Sequence, residues 1–358
     1  MKPTKPPLLC LTFLLIVSLA GCAPQEKTNL TVFAAGSLIA PLHEIEAAFE
    51  KAHPDVDVYT EFHGSIQVLR HNAELHEPID VVISADHALI PMLMYNATIP
   101  DTDVPYADWY LKFASNRMSL AYTENSKYAD EINEDNWYEI LSREDVRIGL
   151  ADPRFDASGY RTLMLMKLAE QHYQREGIFS DVFSGQFTTP IRDFDREEGI
   201  TILVPEILET RTTSRVLLRG SSIQLLSLLD SGDIDYALEY ESVIAQHGLQ
   251  SVHLPDEVNM GSAAHEADYQ QVKVLLDFQR FATVKPEFTG ELIGYGLTIP
   301  ANSPQPELAA AYIEFLFSDE GRAIMEANHH PLLDTVTADG YDNLPASLQA
   351  IAQPGVKP

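Results

Sequence analysis

The sequence predicts an open α/β fold divided into two lobes, on three observations. Twice, an apolar strand pattern runs into a Gly-Ser pair that opens a helical pattern, and a second series of strands and helices begins near residue 146. Two segments suited to extended crossings, residues 113–122 (FASNRMSLAY) and residues 293–299 (IGYGLTI), stand where the chain could pass between the two series. A chain of 358 residues is also long enough for one core to divide into two.

In the first series LTVFAA, from Leu30, reads as a buried strand. Gly36-Ser37 follows, and Leu38, Leu42, Ile45 and Phe49 then line one helical face, with Pro41 in the tolerant first turn. Val56, Val58 and Thr60 alternate as a strand, Gly64-Ser65 interrupts, and Ile66, Leu69 and Ala73 space out a second helix. Residues 79–86 (IDVVISAD) are nearly continuous in apolar residues, as expected for a parallel strand covered on both faces.

In the second series Val146, Ile148 and Leu150 lead into Ala151-Asp152-Pro153, with a helix over 159–168. Residues 223–229 read as a helix ended near Gly232, and Ile234, Tyr236 and Leu238 as a strand ending at Glu239. Ala309, Ile313 and Leu316 mark a later helix, and Ser318 caps another. Residues 174–220 yield only a weak strand at 200–204.

The N-terminus begins with Lys2 and Lys5, continues through an apolar core at 8–19 and reaches Leu19-Ala20-Gly21-Cys22. The core is too short for a flanked membrane span, so residues 1–21 are expected to be a secretory signal. All four positions of the lipobox pattern fit, which favours a lipidated Cys22 over an ordinary signal with a chance cysteine. Residues 22–28 would then tether the lipid to the folded body. Cys10, the only other cysteine, lies in the removed segment, so no disulfide is expected in the mature chain and stability must come from the core.

The formal charge of −29 repels nucleic acid and anionic lipid, so no nucleic-acid partner is expected. It also repels an anionic ligand at long range, and an oxyanion site here would need strong local donors. The acidic residues are dispersed, unlike an acidic tail or a calcium array.

Both Gly-Ser pairs sit where a strand feeds a helix. First-turn amides have no intrahelical partner and lie at the positive end of the helix dipole, where oxyanions bind; serine adds a hydroxyl donor and glycine permits close approach. Ser37 and Ser65 are therefore either oxyanion donors or simple N-caps. Asp152 and Glu239 end strands of the second series. A carboxylate facing a dianion is repelled by about 4 kcal/mol per charge pair at roughly 4 Å and an effective dielectric near 20. The pair makes sense if its oxygens ligate a large, hard d⁰ centre such as tungsten(VI) or molybdenum(VI), which expands from four oxygens to six as sulfur and phosphorus in their oxyanions do not. The plain alternatives are an Asp-Pro turn and a strand-end surface residue.

Other chemistries find less support. Two carboxylates across a cleft could serve a secreted hydrolase as acid and nucleophile. The motifs G-x-S-x-G, H-E-x-x-H, the P-loop and a complete G-x-G-x-x-G are absent. His329-His330 reads as a solvated pair on a surface turn, and the many tyrosines keep a carrier of another metal ion in view.

LTVFAAGSL, HGSIQVLR, ADPRFDASGYRT, LLSLLDSGDIDYALEYESVIAQHGLQSVHLPDEVNM and IGYGLTIPANSPQPELAAAYIEFLFSDEGRAIME together resemble the tungstate/molybdate-binding proteins of ABC importers, of the type first recognised in archaea. The resemblance runs over about residues 29–335, is most specific at 232–259 and poor at 174–220. It implies a type II periplasmic binding protein fold, with lobe 1 over 29–115 plus 295–350, lobe 2 over 116–294, and two hinge crossings. It further implies that Gly36, Ser37 and Ser65 donate from one lobe, that Asp152, Pro153 and Arg154 line the other, and that Asp152 and Glu239 ligate the metal. The expected product is a non-enzymatic, monomeric, extracytoplasmic lipoprotein without cofactor. It would sit in the periplasm or on the outer face of the cell membrane, and deliver tungstate or molybdate to a permease with its ATPase subunits. Another oxyanion or a metal ion is the alternative solute.

Overall fold

The computed structural model describes residues 27–197, 199–277 and 286–355. Strands β1 (Thr28–Ala35), β2 (Val56–His63), β3 (Val81–Ser84) and β4 (Tyr110–Ser115) come first along the chain. There follow β5 (Met118–Tyr122), β6 (Ile148–Ala151), β7 (Arg192–Arg196), β8 (Gly199–Val204), β9 (Val216–Arg219), β10 (Tyr236–Tyr240), β11 (Gln250–Val252), β12 (Val272–Leu276) and β13 (Glu287–Thr289). The chain ends with β14 (Gly294–Thr298), β15 (Leu332–Asp339) and β16 (Gln353–Pro354).

A seven-stranded sheet, ordered β16-β15-β4-β14-β3-β1-β2, forms the first lobe; a five-stranded sheet, ordered β11-β5-β10-β6-β9, is the centre of the second. The two share a plan. In each, the first strand lies between the second and third, parallel to both: β1 between β2 and β3, and β6 between β9 and β10. The next place is taken by an antiparallel strand that has just crossed from the other lobe, β14 beside β3 and β5 beside β10. Only Asn116 and Arg117 separate β4 from β5, and residues 290–293 carry the chain back from β13 to β14.

The strand registers place the turns. Ala35 pairs with His63, so Gly36 and Gly64 leave the same edge side by side; Ala151 pairs with Arg219, so Asp152 and Gly220 do likewise. Behind the first sheet, the helix Ile39–Ala52 buries Leu42, Ile45 and Phe49, as its periodicity predicts. The Phe49 ring packs edge-on against Tyr312, 5.2 Å away, on the helix Pro306–Leu316.

Residues 174–220, mostly opaque in the sequence, hold the helix Ile178–Phe183 and strands β7, β8 and β9. β7 and β8 join β12 and β13 in a third, four-stranded sheet. The helix Ala157–His172 lies between this sheet and the five-stranded one, and residues 157–169 are buried on every side. Its Lys167 survives burial by pairing with Glu170 and with Asp193 of β7, the latter at 2.9 Å. A helix walled in by two sheets lacks the polar stripe that marks a surface helix.

The predicted signal segment 1–21 and Cys22 lie outside the described residues. At the end of the predicted tether, Lys27 pairs with Asp57 at 3.3 Å and Thr28 already pairs with Val56 in the sheet. Among the described residues no helix is long and apolar enough to cross a membrane.

Gly159 fixes how closely the buried helix meets β6. A Cβ there would lie 2.3 Å from the Ala151 carbonyl oxygen and 2.7 Å from the Pro153 nitrogen, both backbone atoms with little room to yield. Gly159→Ala is expected to cost at least ~2 kcal/mol in chemical denaturation, at the upper end of overpacking penalties. A loss below ~0.5 kcal/mol would mean that the helix can withdraw from β6.

Candidate functional site

The carboxyl edges of the two parallel cores face each other and touch. A Cβ on Gly36 would lie 3.0 Å from Ile223 Cγ2, and one on Gly64 would lie 2.5 Å from the Phe155 carbonyl oxygen; both neighbours belong to the opposite lobe. That carbonyl accepts the Ile66 amide at 3.1 Å and the Gln67 amide at 3.4 Å, so first-turn donors of the helix Ser65–Ala73 are engaged by the other lobe. The glycines of both Gly-Ser pairs thus serve the approach of backbone to backbone, and the lobes are closed.

Neither serine caps its own helix. Ser37 Oγ bonds the Tyr295 hydroxyl at 2.8 Å, and Ser65 Oγ accepts the Ala85 amide at 3.0 Å. Both are buried. The Ser65 bond consumes an oxygen lone pair and leaves the hydroxyl proton available to a ligand.

The opposing edge carries carboxylates. Asp152 is closed onto its neighbour: Oδ1 accepts Arg154 Nε at 2.8 Å and the Arg154 amide at 3.0 Å, and Oδ2 accepts an Arg154 terminal nitrogen at 2.5 Å. The guanidinium also reaches the Glu206 carbonyl, so Arg154 contributes its side chain as well as its amide. Pro153 is buried between Asp152 and Arg154.

Glu239 lies within β10, one residue before its end, and is only 1% exposed. Its Oε1 accepts the Tyr240 amide at 2.8 Å, while Oε2 is buried without a hydrogen-bond partner. Burial pushes its pKa up to about 8, against the pull of the Tyr240 amide and the nearby Ser222 hydroxyl and with the push of Asp156.

Asp156 is a site residue that the sequence reading missed. It caps the helix Ala157–His172 through the Ser158 amide at 2.8 Å and accepts the Ser222 amide at 3.0 Å, so one carboxylate ties together the first turns of two helices. Burial raises its pKa to about 6, opposed by those two amides and Arg161 and reinforced by Asp152. The spacing Asp156-x-Ser158 before an apolar run was a readable N-cap signal; its nearness to Glu239 was not.

Arg161 and Asp86 were also missed. Arg161, 1% exposed, donates to the Ala85 carbonyl at 2.8 Å and to the Tyr240 hydroxyl at 2.7 Å, and lies 3.3 Å from Asp86. Tyr160 donates to the same carboxylate. This ion pair bridges the lobes and is excluded from water, so removing either member would strand a buried charge. Ligand atoms of Asp86, His87 and Glu291 also lie within 4.8 Å of one another, but Arg161 and Lys112 already act on that cluster, which makes it a poor cation site. One expectation fails here: His330 is not solvated but fully buried, its ring edge-on to Tyr295 at 4.4 Å. The left-handed backbone of His329 (φ 55°) turns the chain so that the exposed His329 precedes an inward-facing His330.

Residues 30–329 match the family model described as bacterial extracellular solute-binding protein. The chain belongs to this family. The solute-binding protein is 36% identical to a solute-binding protein of Methanoculleus marisnigri over 92% of this chain and 88% of that one. It is 34% identical to the molybdate/tungstate-binding protein WtpA of Pyrococcus abyssi over 96% of both chains. Among solved structures it is similar to the periplasmic molybdate-binding protein of Azotobacter vinelandii, with a TM-score of 0.52 and 14% identity over 85% of this chain and 100% of that one. It is also similar to the sulfate-binding protein SubI of Mycobacterium tuberculosis, with a TM-score of 0.54 and 15% identity over 91% and 92%. The two-lobed fold of periplasmic binding proteins is thereby that of this solute-binding protein.

Two expectations follow from the geometry of the ligand-free protein. Folded Glu239 keeps its proton between 4.5, a glutamate's ordinary value, and about 8, a range in which the unfolded chain has released it. Stability from this group therefore falls as pH rises through that window, by up to ~1.4 kcal/mol per unit. Glu239→Gln should exceed the wild type in urea stability by at least ~1 kcal/mol more at pH 8.5 than at pH 4.5; equal differences would mean that Glu239 is not a buried neutral acid. Gly64→Ala should leave each lobe folded but keep the cleft ajar, raising the radius of gyration in small-angle scattering; an unchanged radius would show that the contact with Phe155 does not limit closure.

Proposed function

We propose that this protein is the extracytoplasmic receptor of an ABC importer and that it holds tungstate or molybdate between its lobes. The observation carrying this reading is the Glu239 carboxyl, buried at the meeting edge with Oε2 unpartnered. Leaving a buried polar atom unpaired costs roughly 1–3 kcal/mol, which a ligand bond would remove. Coordinated to a group-six metal, the carboxylate oxygen becomes a ligand of an expanding six-oxygen shell instead of a repulsive neighbour of a dianion. The relationship to WtpA, which is named for molybdate and tungstate, supports the same solute.

Gly36, Ser37 and Ser65 would donate to the oxyanion from the first lobe, with Asp152, Pro153 and Arg154 lining the second. The partner ligand to Glu239 comes from the 152–156 turn. Asp152, the residue implied by the family resemblance, has both oxygens on the Arg154 guanidinium and must loosen that pair to ligate. Asp156 already stands close enough to raise the pKa of Glu239. Binding without turnover would stabilise the closed form, which a permease with ATPase subunits then receives. Cys22 would carry the lipid that anchors this monomer outside the cytoplasm.

The raised pKa of Glu239 favours a second reading, in which the protonated carboxyl donates a hydrogen bond to sulfate or another tetrahedral oxyanion. Calorimetric titration separates the two. Metal coordination predicts that tungstate and molybdate bind at least ~100-fold more tightly than sulfate, and that Glu239→Gln removes most of this preference. Asp152→Asn and Asp156→Asn, tested separately, identify the second ligand by the larger loss. Equal affinity for sulfate, with Glu239→Gln without effect on tungstate, would overturn the coordination reading.

A further inference from the structure

Ser37 is joined to both hinge crossings and to the opposite lobe by one chain of hydrogen bonds, buried at Ser37, Tyr295 and Ser242 and half-buried at Asn116. Its Oγ lies 2.8 Å from the Tyr295 hydroxyl, and Tyr295 stands in β14 just after the return crossing. The Tyr295 oxygen also lies 3.3 Å from Asn116 Nδ2, in the other crossing. The second proton of Asn116 Nδ2 goes to Ser242 Oγ at 2.8 Å, in the first turn of the helix Glu241–Gln246 that follows β10.

Proton positions along this chain follow from what each group can do. Asn116 Oδ1 accepts its neighbouring Arg117 amide at 3.0 Å and the Ser242 amide at 3.5 Å. A flipped amide would turn NH₂ against two N–H donors, so Oδ1 and Nδ2 have one sensible assignment. Nδ2 can only donate, and the Tyr295 oxygen therefore accepts from it. The single Tyr295 proton then has Ser37 Oγ as its acceptor, and the Ser37 proton is left to point away from Tyr295. The Tyr295 ring cannot swing to alter this, for it is held by Phe113 and Tyr240 at centroid distances of 6.3 and 6.1 Å and edge-on by His330 at 4.4 Å.

We propose that Asn116 and Tyr295 are positioning residues that set the polarity of Ser37, so that its hydroxyl faces the cleft as a donor and an anion is favoured there over a cation or a neutral donor. The inference rests on the reading of Ser37 as an oxyanion contact and adds what makes it one. A serine hydroxyl left to itself presents proton or lone pair equally well. Here the choice is made by an amide two bonds upstream, in the segment about which the lobes hinge.

Tungstate titrations of variants test this, with thermal melting of the ligand-free proteins as a check on folding. Ser37→Ala is expected to weaken binding by ~10-fold, about the worth of one hydrogen bond to a charged group, and Tyr295→Phe, which leaves the Ser37 hydroxyl free to turn, by several-fold. Asn116→Ala should weaken it by several-fold and add nothing in the Tyr295→Phe background, because both break the same chain. Asn116→Asp replaces the donor by an acceptor, draws the Tyr295 proton toward itself and leaves Ser37 offering a lone pair to the anion. It should cost ~100-fold, of which only the part due to its charge survives in the Tyr295→Phe background. Equal costs for Asn116→Asp in the two backgrounds, or additive losses for Asn116→Ala and Tyr295→Phe, would overturn the polarity relay. If Ser37→Ala weakens binding and the other variants do not, the relay fails while the site stands. An unchanged Ser37→Ala, or a wild type that binds neither tungstate nor molybdate, removes the site reading and the relay together.

Discussion

The register of two parallel strand pairs is the constraint on which the rest of the molecule depends. Ala35 opposite His63 and Ala151 opposite Arg219 bring four turns to two facing edges, and each turn carries a residue used at the junction. Side chains in a strand alternate with a period of two, so a slip of one residue would send Ser37 or Asp152 to the wrong face and bury the wrong neighbours. The continuous apolar burial of β3 and β6 makes such a slip expensive, because both faces of these strands are already filled. Core packing in each lobe thus determines the geometry of the crevice between them.

Closure then adds contacts that neither lobe could make alone. The Ile66 and Gln67 amides reach a carbonyl of the other lobe, and Arg161 reaches Ala85 and Asp86 across the divide. Such bonds are individually modest when exchanged for water, but the groups are buried in the closed form and would be costly unpaired. Two glycines make the approach possible, since any Cβ at Gly64 would press on the Phe155 carbonyl.

Much of this was legible in the chain. The strands β1, β2 and β3 and the helices between them follow directly from apolar periodicity, whereas β15 and β16, with little buried surface, do not show in it. The helix Ala157–His172 was shortened in the sequence reading, and of the sheet behind it only one strand, at 200–204, was legible. β8 coincides with the weak strand read at 200–204, whereas β7 is short and polar with all five residues exposed, so period-two burial does not mark it. At the site, strand-end position pointed to Ser37, Ser65, Asp152 and Glu239, whereas Asp156, Arg161 and Tyr295 depend on long-range proximity that no spacing encodes. The same holds for the pairing of Asp152 with Arg154: two residues apart in sequence, they could equally have pointed to opposite faces of the turn. His330 misled because adjacent histidines say nothing of the backbone turn between them.

The proposed receipt of an anion by so acidic a molecule is less contradictory than its net charge suggests. At physiological ionic strength the field of a surface carboxylate decays over a Debye length of about 8 Å, so most of the formal charge of −29 is screened before it reaches a buried crevice. Inside the closed edges the same law works at short range and with little water between the groups, where each oriented dipole counts for several times its worth at the surface. On the proposed reading, the sign of the site would be decided by the direction of a few protons: those on Ser37 and Ser65, and the one that burial keeps on Glu239 near neutral pH. A solute that coordinates Glu239 must displace that proton, whereas one that only accepts hydrogen bonds keeps it. On that reading the buried acid would separate solutes by the kind of bond they can form more sharply than by their charge, which tungstate, molybdate and sulfate share.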